Sequence, residues 1–84
     1  MNTDSLRTTI TELVAARLRV PPDTLDPDAD LGALGLTSLD AVILTGEFED
    51  RFDAEVDVSL LFENRTLSGL AAALCTLLDG AKAP

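Results

Sequence analysis

The chain has 84 residues, 46% apolar and 25% charged, with a formal net charge of −9 and no His, Trp or Tyr. That length allows one domain with one modest core, burying roughly 60% of its unfolded surface, and the apolar content is too high for a wholly disordered chain. The acidity argues against nucleic acid and anionic membrane as partners and favours a basic protein surface.

No signal-peptide pattern opens the chain and no apolar run is long enough to span a bilayer, so a cytoplasmic location is expected. Residues 4–19 read as a helix: Leu6, Ile10, Leu13, Val14 and Arg17 recur at spacings of three and four, one apolar stripe ending in an arginine. Thr3 or Asp4 can cap its start. Pro21 and Pro22 stop it, because a residue before proline is pushed out of the helical region.

Residues 20–37 form a long connection rich in Pro, Asp and Gly. Loops of that length in a small domain are usually functional or disordered. Leu25, Leu31, Leu34 and Leu36 are expected to pin this one to the core.

Residues 38–52 read as the second helix. Thr37 and Ser38 are both capable caps, and Ser38 sits at the helix mouth in either case. That end carries partial positive charge and free N–H donors, which suits a phosphate group. At about 100° per residue, Ala41, Leu44, Phe48 and Phe52 form one stripe. Leu39, Val42, Ile43 and Gly46 form a second on roughly the opposite side, extended by Glu49 and Asp50 and bordered by Asp40 and Glu47. So small a protein has one core for one stripe to face. The other is then an exposed apolar patch rimmed by acids, which points to a docking surface.

Asp53 is a candidate for the left-handed residue that ends this helix. Ser59 can cap a very short helix, Leu60 to Glu63. Thr66 caps a fourth, running to about Leu78 on the stripe Leu67, Leu70, Leu74 and Leu77, with Gly80 suited to its C-terminal cap and residues 80–84 a loose tail. The lone Cys75 lies in this apolar run, where it reads as a buried inert thiol; one cysteine makes neither an intramolecular disulfide nor a cysteine metal cluster. Strand-period runs and internal repeats are lacking, so the expectation is an all-α bundle of three main helices and one short one, a single domain over 1–84 with its ordered core at about 4–79.

Enzymatic chemistry finds little footing. Asp26, Asp28 and Asp30 resemble the start of a calcium loop, but the glycine falls one place late at Gly32, Thr37 stands where the bidentate Glu belongs, and Pro27 intrudes. A nucleophilic Ser38 lacks a histidine base, its surroundings Gly35-Leu36-Thr37-Ser38-Leu39 are not a nucleophile elbow, and the lone lysine, Lys82, is in the tail. The acids of the second helix read as a solvated or partner-facing surface rather than as paired catalytic carboxylates.

Four stretches carry a resemblance: Asp26 to Leu31, Leu34 to Val42, Phe48 to Phe52, and Leu60 to Leu67. Together they resemble the phosphopantetheine-dependent carrier proteins, the acyl and peptidyl carriers of fatty-acid, polyketide and nonribosomal peptide synthesis, over about residues 5 to 79. The resemblance implies a small four-helix bundle of the acyl-carrier-protein type, with 4'-phosphopantetheine attached to Ser38 by a phosphopantetheinyl transferase using coenzyme A. The arm's thiol would hold an acyl or aminoacyl group as a thioester, and the carrier would perform no catalysis itself.

Partners implied in the same way are a loading enzyme, either a ligase or an acyltransferase, and a downstream synthase or transferase, met through Leu39, Val42, Ile43, Gly46, Glu49 and Asp50. Two departures bear on pathway. Thr37 stands where acyl carriers usually have Asp and peptidyl carriers His, and Ile43 and Gly46 replace an acid and a larger apolar residue of fatty-acid carriers. They tilt the reading to a free-standing carrier of polyketide or related natural-product assembly, with a peptidyl carrier or an unmodified interaction module of the same fold as alternatives.

Overall fold

The computed structural model describes the backbone of residues 3–82 and the side chains of 5–78. Its elements are α1 (Thr3–Leu18), a 3₁₀ turn at Pro22–Thr24, α2 (Ser38–Phe52), α3 (Ser59–Glu63) and α4 (Leu67–Lys82). The described residues contain no strand, so the all-α, four-helix expectation holds.

The expected α1 stripe packs inward. Leu6, Ile10 and Val14 are buried among Leu44, Phe48, Leu70 and Leu74, with Leu13 half-buried at the edge. Thr3 and Asp4, expected as caps, fall inside the helix; residues 1 and 2 are outside the described part. The helix also stops before the prolines. Arg19 adopts φ 62°, its N–H donates to Ala16 O at 3.3 Å, and Val20 N–H donates to Ala15 O at 3.0 Å. This pair of reversed bonds satisfies the orphan carbonyls of the last turn with a non-glycine residue in the left-handed region.

The long connection is held at both ends of its acidic run. Leu31 N–H donates to Arg65 O at 2.7 Å and Ser68 N–H donates to Pro27 O at 3.0 Å, tying it to the α3–α4 junction. Leu31 is buried, and Leu25 and Leu36 pack against the core. Leu34 does not: it is exposed, on a turn closed by Gly35 at φ 109°, a conformation that carries the side chain away from the core. The aspartates build turns. Asp26 accepts from Asp28 N–H, Asp30 accepts from Gly32 N–H, and Asp28 accepts from the Ser68 hydroxyl.

Asp53 ends α2 at φ 52°, ψ 50°, as expected. α3 is capped differently from expectation. The acceptor is the Asp57 carboxylate, which takes the Ser59 N–H at 2.9 Å, and Ser59 is the first helical residue rather than the cap. That hydrogen bond from Ser59 holds the Asp57 carboxyl below its ordinary pKa. Thr66 caps α4 as expected, its hydroxyl accepting the Gly69 N–H at 3.0 Å. The helix then continues through Gly80 to Lys82, so Gly80 is not its terminator; of the expected tail, Ala83 and Pro84 lie outside the described residues. Cys75 is half-buried against the core rather than fully enclosed.

Phe48 is 0% exposed and Val42 54% exposed. Phe48→Ala is therefore expected to cost about 3–5 kcal/mol. Val42→Ala should cost under about 1 kcal/mol, as a surface change. Urea unfolding of both variants checks the ranking, and the reverse order would mean that the two faces of α2 are exchanged.

Candidate functional site

The start of α2 is fixed by one reciprocal motif. Thr37 is extended at φ −89°, ψ 170°, and its carbonyl takes the first helical bond, from Ala41 N–H at 3.0 Å. Its hydroxyl accepts the Asp40 N–H at 3.1 Å, and the Asp40 carboxylate accepts the Thr37 N–H at 3.0 Å. This capping box satisfies one orphan donor and restrains the cap residue itself. It also decides between the two candidate caps: Thr37 caps, and Ser38 is the first helical residue, exposed to solvent.

Asp40 has a second attachment. Its Oδ1 lies 3.4 Å from Nε of Arg17, whose Nε is enclosed, so the last turn of α1 is joined to the first turn of α2. The hydrogen bond from the Thr37 N–H, then that with the Thr37 side chain, hold the Asp40 carboxyl below its ordinary range; partial desolvation opposes them and the Arg17 charge assists.

Beside Ser38 lies a cleft of about 100 Å³ between α2, α3 and the long loop. Leu31, Leu36, Ala41 and Leu61 give it an apolar floor, and Phe62, Asn64 and Arg65 stand at its α3 side. The sequence marks Leu31, Leu36 and Ala41 as core residues, but it gives Leu61, Phe62, Asn64 and Arg65 no individual role beside Ser38. The available signal was the run Leu60-Leu61-Phe62, three large apolar residues on a helix too short to bury all of them.

The two faces of α2 are divided as the periodicity implies. Ala41, Leu44 and Phe48 are buried and Phe52 packs against the core, its ring centroid 6.1 Å from that of Phe48. Leu39 is 69% and Ile43 36% exposed, and Gly46 and Asp50 are also exposed. Leu39, Val42 and Ile43 form an exposed apolar patch that Gly46 and the acidic Asp50 continue along the helix away from Ser38. Glu49 is only half-exposed and has structural work: its carboxylate accepts the Val56 N–H at 3.1 Å, tying α2 to the segment before α3.

The arrangement suits a tethered phosphate group. Ser38 presents an exposed hydroxyl at a helix start, where unsatisfied N–H donors and the macrodipole favour an anion. An open cleft with an arginine at its side adjoins it. Among the described residues no helix is long and apolar enough to cross a membrane.

Comparison with known proteins agrees with this chemistry. A family model described as "phosphopantetheine attachment site" matches residues 8–74. A phenolphthiocerol/phthiocerol polyketide synthase of Mycobacterium tuberculosis is 35% identical over 69 residues, which is 82% of this chain and 4% of the synthase. The chain thus spans a small fraction of the length of that relative. Two solved structures match over most of both chains. A free-standing peptidyl carrier protein from an Acinetobacter baumannii secondary metabolic pathway is 33% identical, with a TM-score of 0.83 over 89% of this chain and 94% of that one. BlmI, a type-II acyl carrier protein of Streptomyces verticillus involved in bleomycin biosynthesis, is 30% identical, with a TM-score of 0.82 over 90% and 89%.

Asp40 gives a pH test. Its pKa is depressed in the folded state, so its contribution is complete above the unfolded carboxylate value of about 3.9 and is lost as pH falls through the lower folded value. Asp40→Asn should lower the Tm at pH 7, and the gap from wild type should narrow as pH falls from about 4 to 2. Thermal unfolding across that range reads it, and a pH-independent gap would remove the carboxylate from the account.

Proposed function

The chain belongs to the phosphopantetheine attachment-site family, whose carrier domains hold 4'-phosphopantetheine covalently, and from that membership we propose that Ser38 is the attachment residue. The observation that carries the assignment is the exposed Ser38 hydroxyl at the capped start of α2, opening on the cleft. A phosphopantetheinyl transferase would direct the Ser38 Oγ at the pyrophosphate of coenzyme A. The Ser–O–P bond forms as the pyrophosphate bond breaks, and the adenosine bisphosphate portion leaves. When bound, the arm supplies a terminal thiol that carries cargo as a thioester.

The chain's own residues do the positioning. Thr37 and Asp40 fix the first turn of α2, and Arg17 ties that turn to α1, so the attachment point moves with the rigid body of the domain. Tethering raises the effective concentration of cargo at each partner enzyme without catalysis by the carrier. We read the protein as non-catalytic for that reason.

The reading extends to a free-standing carrier in polyketide or related natural-product assembly, supported by likeness to the two carriers described as free-standing and type-II. Its partners are a loading ligase or acyltransferase and a downstream synthase or transferase, met in the cytoplasm where coenzyme A is the arm's donor. Docking falls to Leu39, Val42, Ile43, Gly46 and Asp50, with Glu49 contributing from a carboxylate already engaged with Val56. Aminoacyl cargo is the second reading, favoured by the 33% identity to a peptidyl carrier.

Two outcomes are expected. Incubation with coenzyme A, magnesium and a broad-specificity transferase should add one phosphopantetheine to the intact mass, and Ser38→Ala should abolish the gain while remaining folded; modification persisting in the variant would displace the site. Asp50→Lys, which leaves the Glu49–Val56 bond in place, should slow loading in trans by the cognate enzyme, with the deficit shrinking as salt screens it. A stopped assay of thioester formation at low and high ionic strength measures this.

A further inference from the structure

Arg65 is the charged residue lining the cleft beside Ser38 among the described residues. Its placement is built from both sides. Leu31 N–H donates to its carbonyl at 2.7 Å, which fixes its backbone against the long loop. Its Nε lies 3.4 Å from Asp30 Oδ1, the same oxygen that accepts the Gly32 N–H at 2.8 Å. The guanidinium lies over Gly32, where a Cβ would collide with its Nη2. Gly32 is not at positive φ, whereas Gly35 is, so a side chain at 32 meets no backbone strain and would instead displace the flexible end of Arg65.

The ion pair with Asp30 is a weak reason for this seat. Both side chains are more than half exposed, 59% and 52%, and such pairs contribute little to stability. The pair uses the Nε edge and leaves the four N–H donors of Nη1 and Nη2, a planar fork suited to phosphate oxygens. The cleft holds no other cation, the whole chain carries −9, and the Asp40 carboxylate lies in the same first turn as Ser38. A phosphodiester on Ser38 would have the helix-start N–H donors beneath it and Arg65 as the charged side chain across the cleft.

Resting on the Ser38 assignment, we infer that Arg65 is the anchoring cation for the phosphodiester of the Ser38-linked arm. It draws the arm to the α2–α3 cleft rather than along the exposed face of α2. Asp30 competes for the same guanidinium and Gly32 keeps the seat open. Arg65 is thus a positioning residue whose hold is loose enough for salt to release it.

The test begins with intact mass, which establishes whether the arm is on Ser38; no addition would overturn the site assignment and this inference together. With the arm attached, the Arg65 Nε–H resonance should shift between the apo and holo proteins, and the ³¹P resonance of the holo protein should move with added salt. Arg65→Gln should abolish the salt-dependent ³¹P movement, and Gly32→Ala, which displaces the guanidinium but keeps its charge, should reduce it. Asp30→Asn keeps an oxygen for the Gly32 N–H but removes the competing charge, and should enlarge it. The wild-type comparison needs no variant, so a misfolded substitution does not protect the inference. An unchanged Arg65 signal on arm attachment, with ³¹P behaviour identical in wild type and Arg65→Gln, would overturn it while leaving Ser38 as the site.

Discussion

The rotation of α2 about its own axis is the constraint on which the rest depends. The helix has two apolar stripes and the protein has one core, so a turn of about 100° would exchange a core residue for a surface one. Burial of Ala41, Leu44 and Phe48 sets that rotation, and the Thr37–Asp40 capping box with the Arg17 ion pair locks it at the first turn. Ser38 then has no choice of direction. The sheltered positions of its own turn belong to Asp40, which faces α1, and Ala41, which faces the core.

The same rotation separates the two flanks of α2. The side bearing Asp40, Glu47 and Arg51 adjoins α1, through the Arg17 pair and a shallow groove that also includes Leu13. The side bearing Ser38 and Glu49 adjoins α3, through the cleft at one end and the Val56 hydrogen bond at the other. Ser38, the proposed attachment point, is therefore on the flank covered by the shortest helix, which is set by the Asp57 cap, the Asn64 amide on Leu60 O, the buried Leu61 and the partly buried Val58 and Leu60. The α1 flank is secured by the longer packed stripe Leu6, Ile10 and Val14.

Much of this was legible in the sequence because it is local. The bounds of α2, its two stripes, the Thr66 cap and the Asp53 terminator are all decided within a turn or two of chain, where periodicity and capping chemistry operate. What escaped is set by distant partners. Among the loop leucines, Leu31 is buried and Leu34 exposed because of the Gly35 turn and the bond to Arg65, which no count of leucines contains. Glu49 reads as a free acid in the sequence, but its oxygen is taken by a backbone N–H seven residues on. Arg19 ends α1 in a left-handed conformation usually given to glycine, so the stop precedes the two prolines that the sequence offers as breakers. The Gly32–Arg65 seat joins residues far apart in the chain, and only the folded loop brings them together.

The exposed face of α2 is thermodynamically expensive, and its persistence is an argument in itself. Full burial of a Leu, Val or Ile side chain is worth about 1.5–3 kcal/mol, against a total stability of about 5–15 kcal/mol for a native domain. Leaving Leu39 and Val42 more than half exposed, and Ile43 about a third, forfeits part of that for a chain with so small a core. It also invites self-association through the same patch. The acids answer the second problem: with Glu47, Glu49 and Asp50 on the same helix and −9 overall, two copies meeting face to face bring like charge together. A basic partner meets no such barrier. Apolar contact and charge thus select in the same direction, and selection by charge acts at encounter, before the apolar face is covered. On the proposed carrier function that combination is what is needed: quick, steered association and a contact small enough to release.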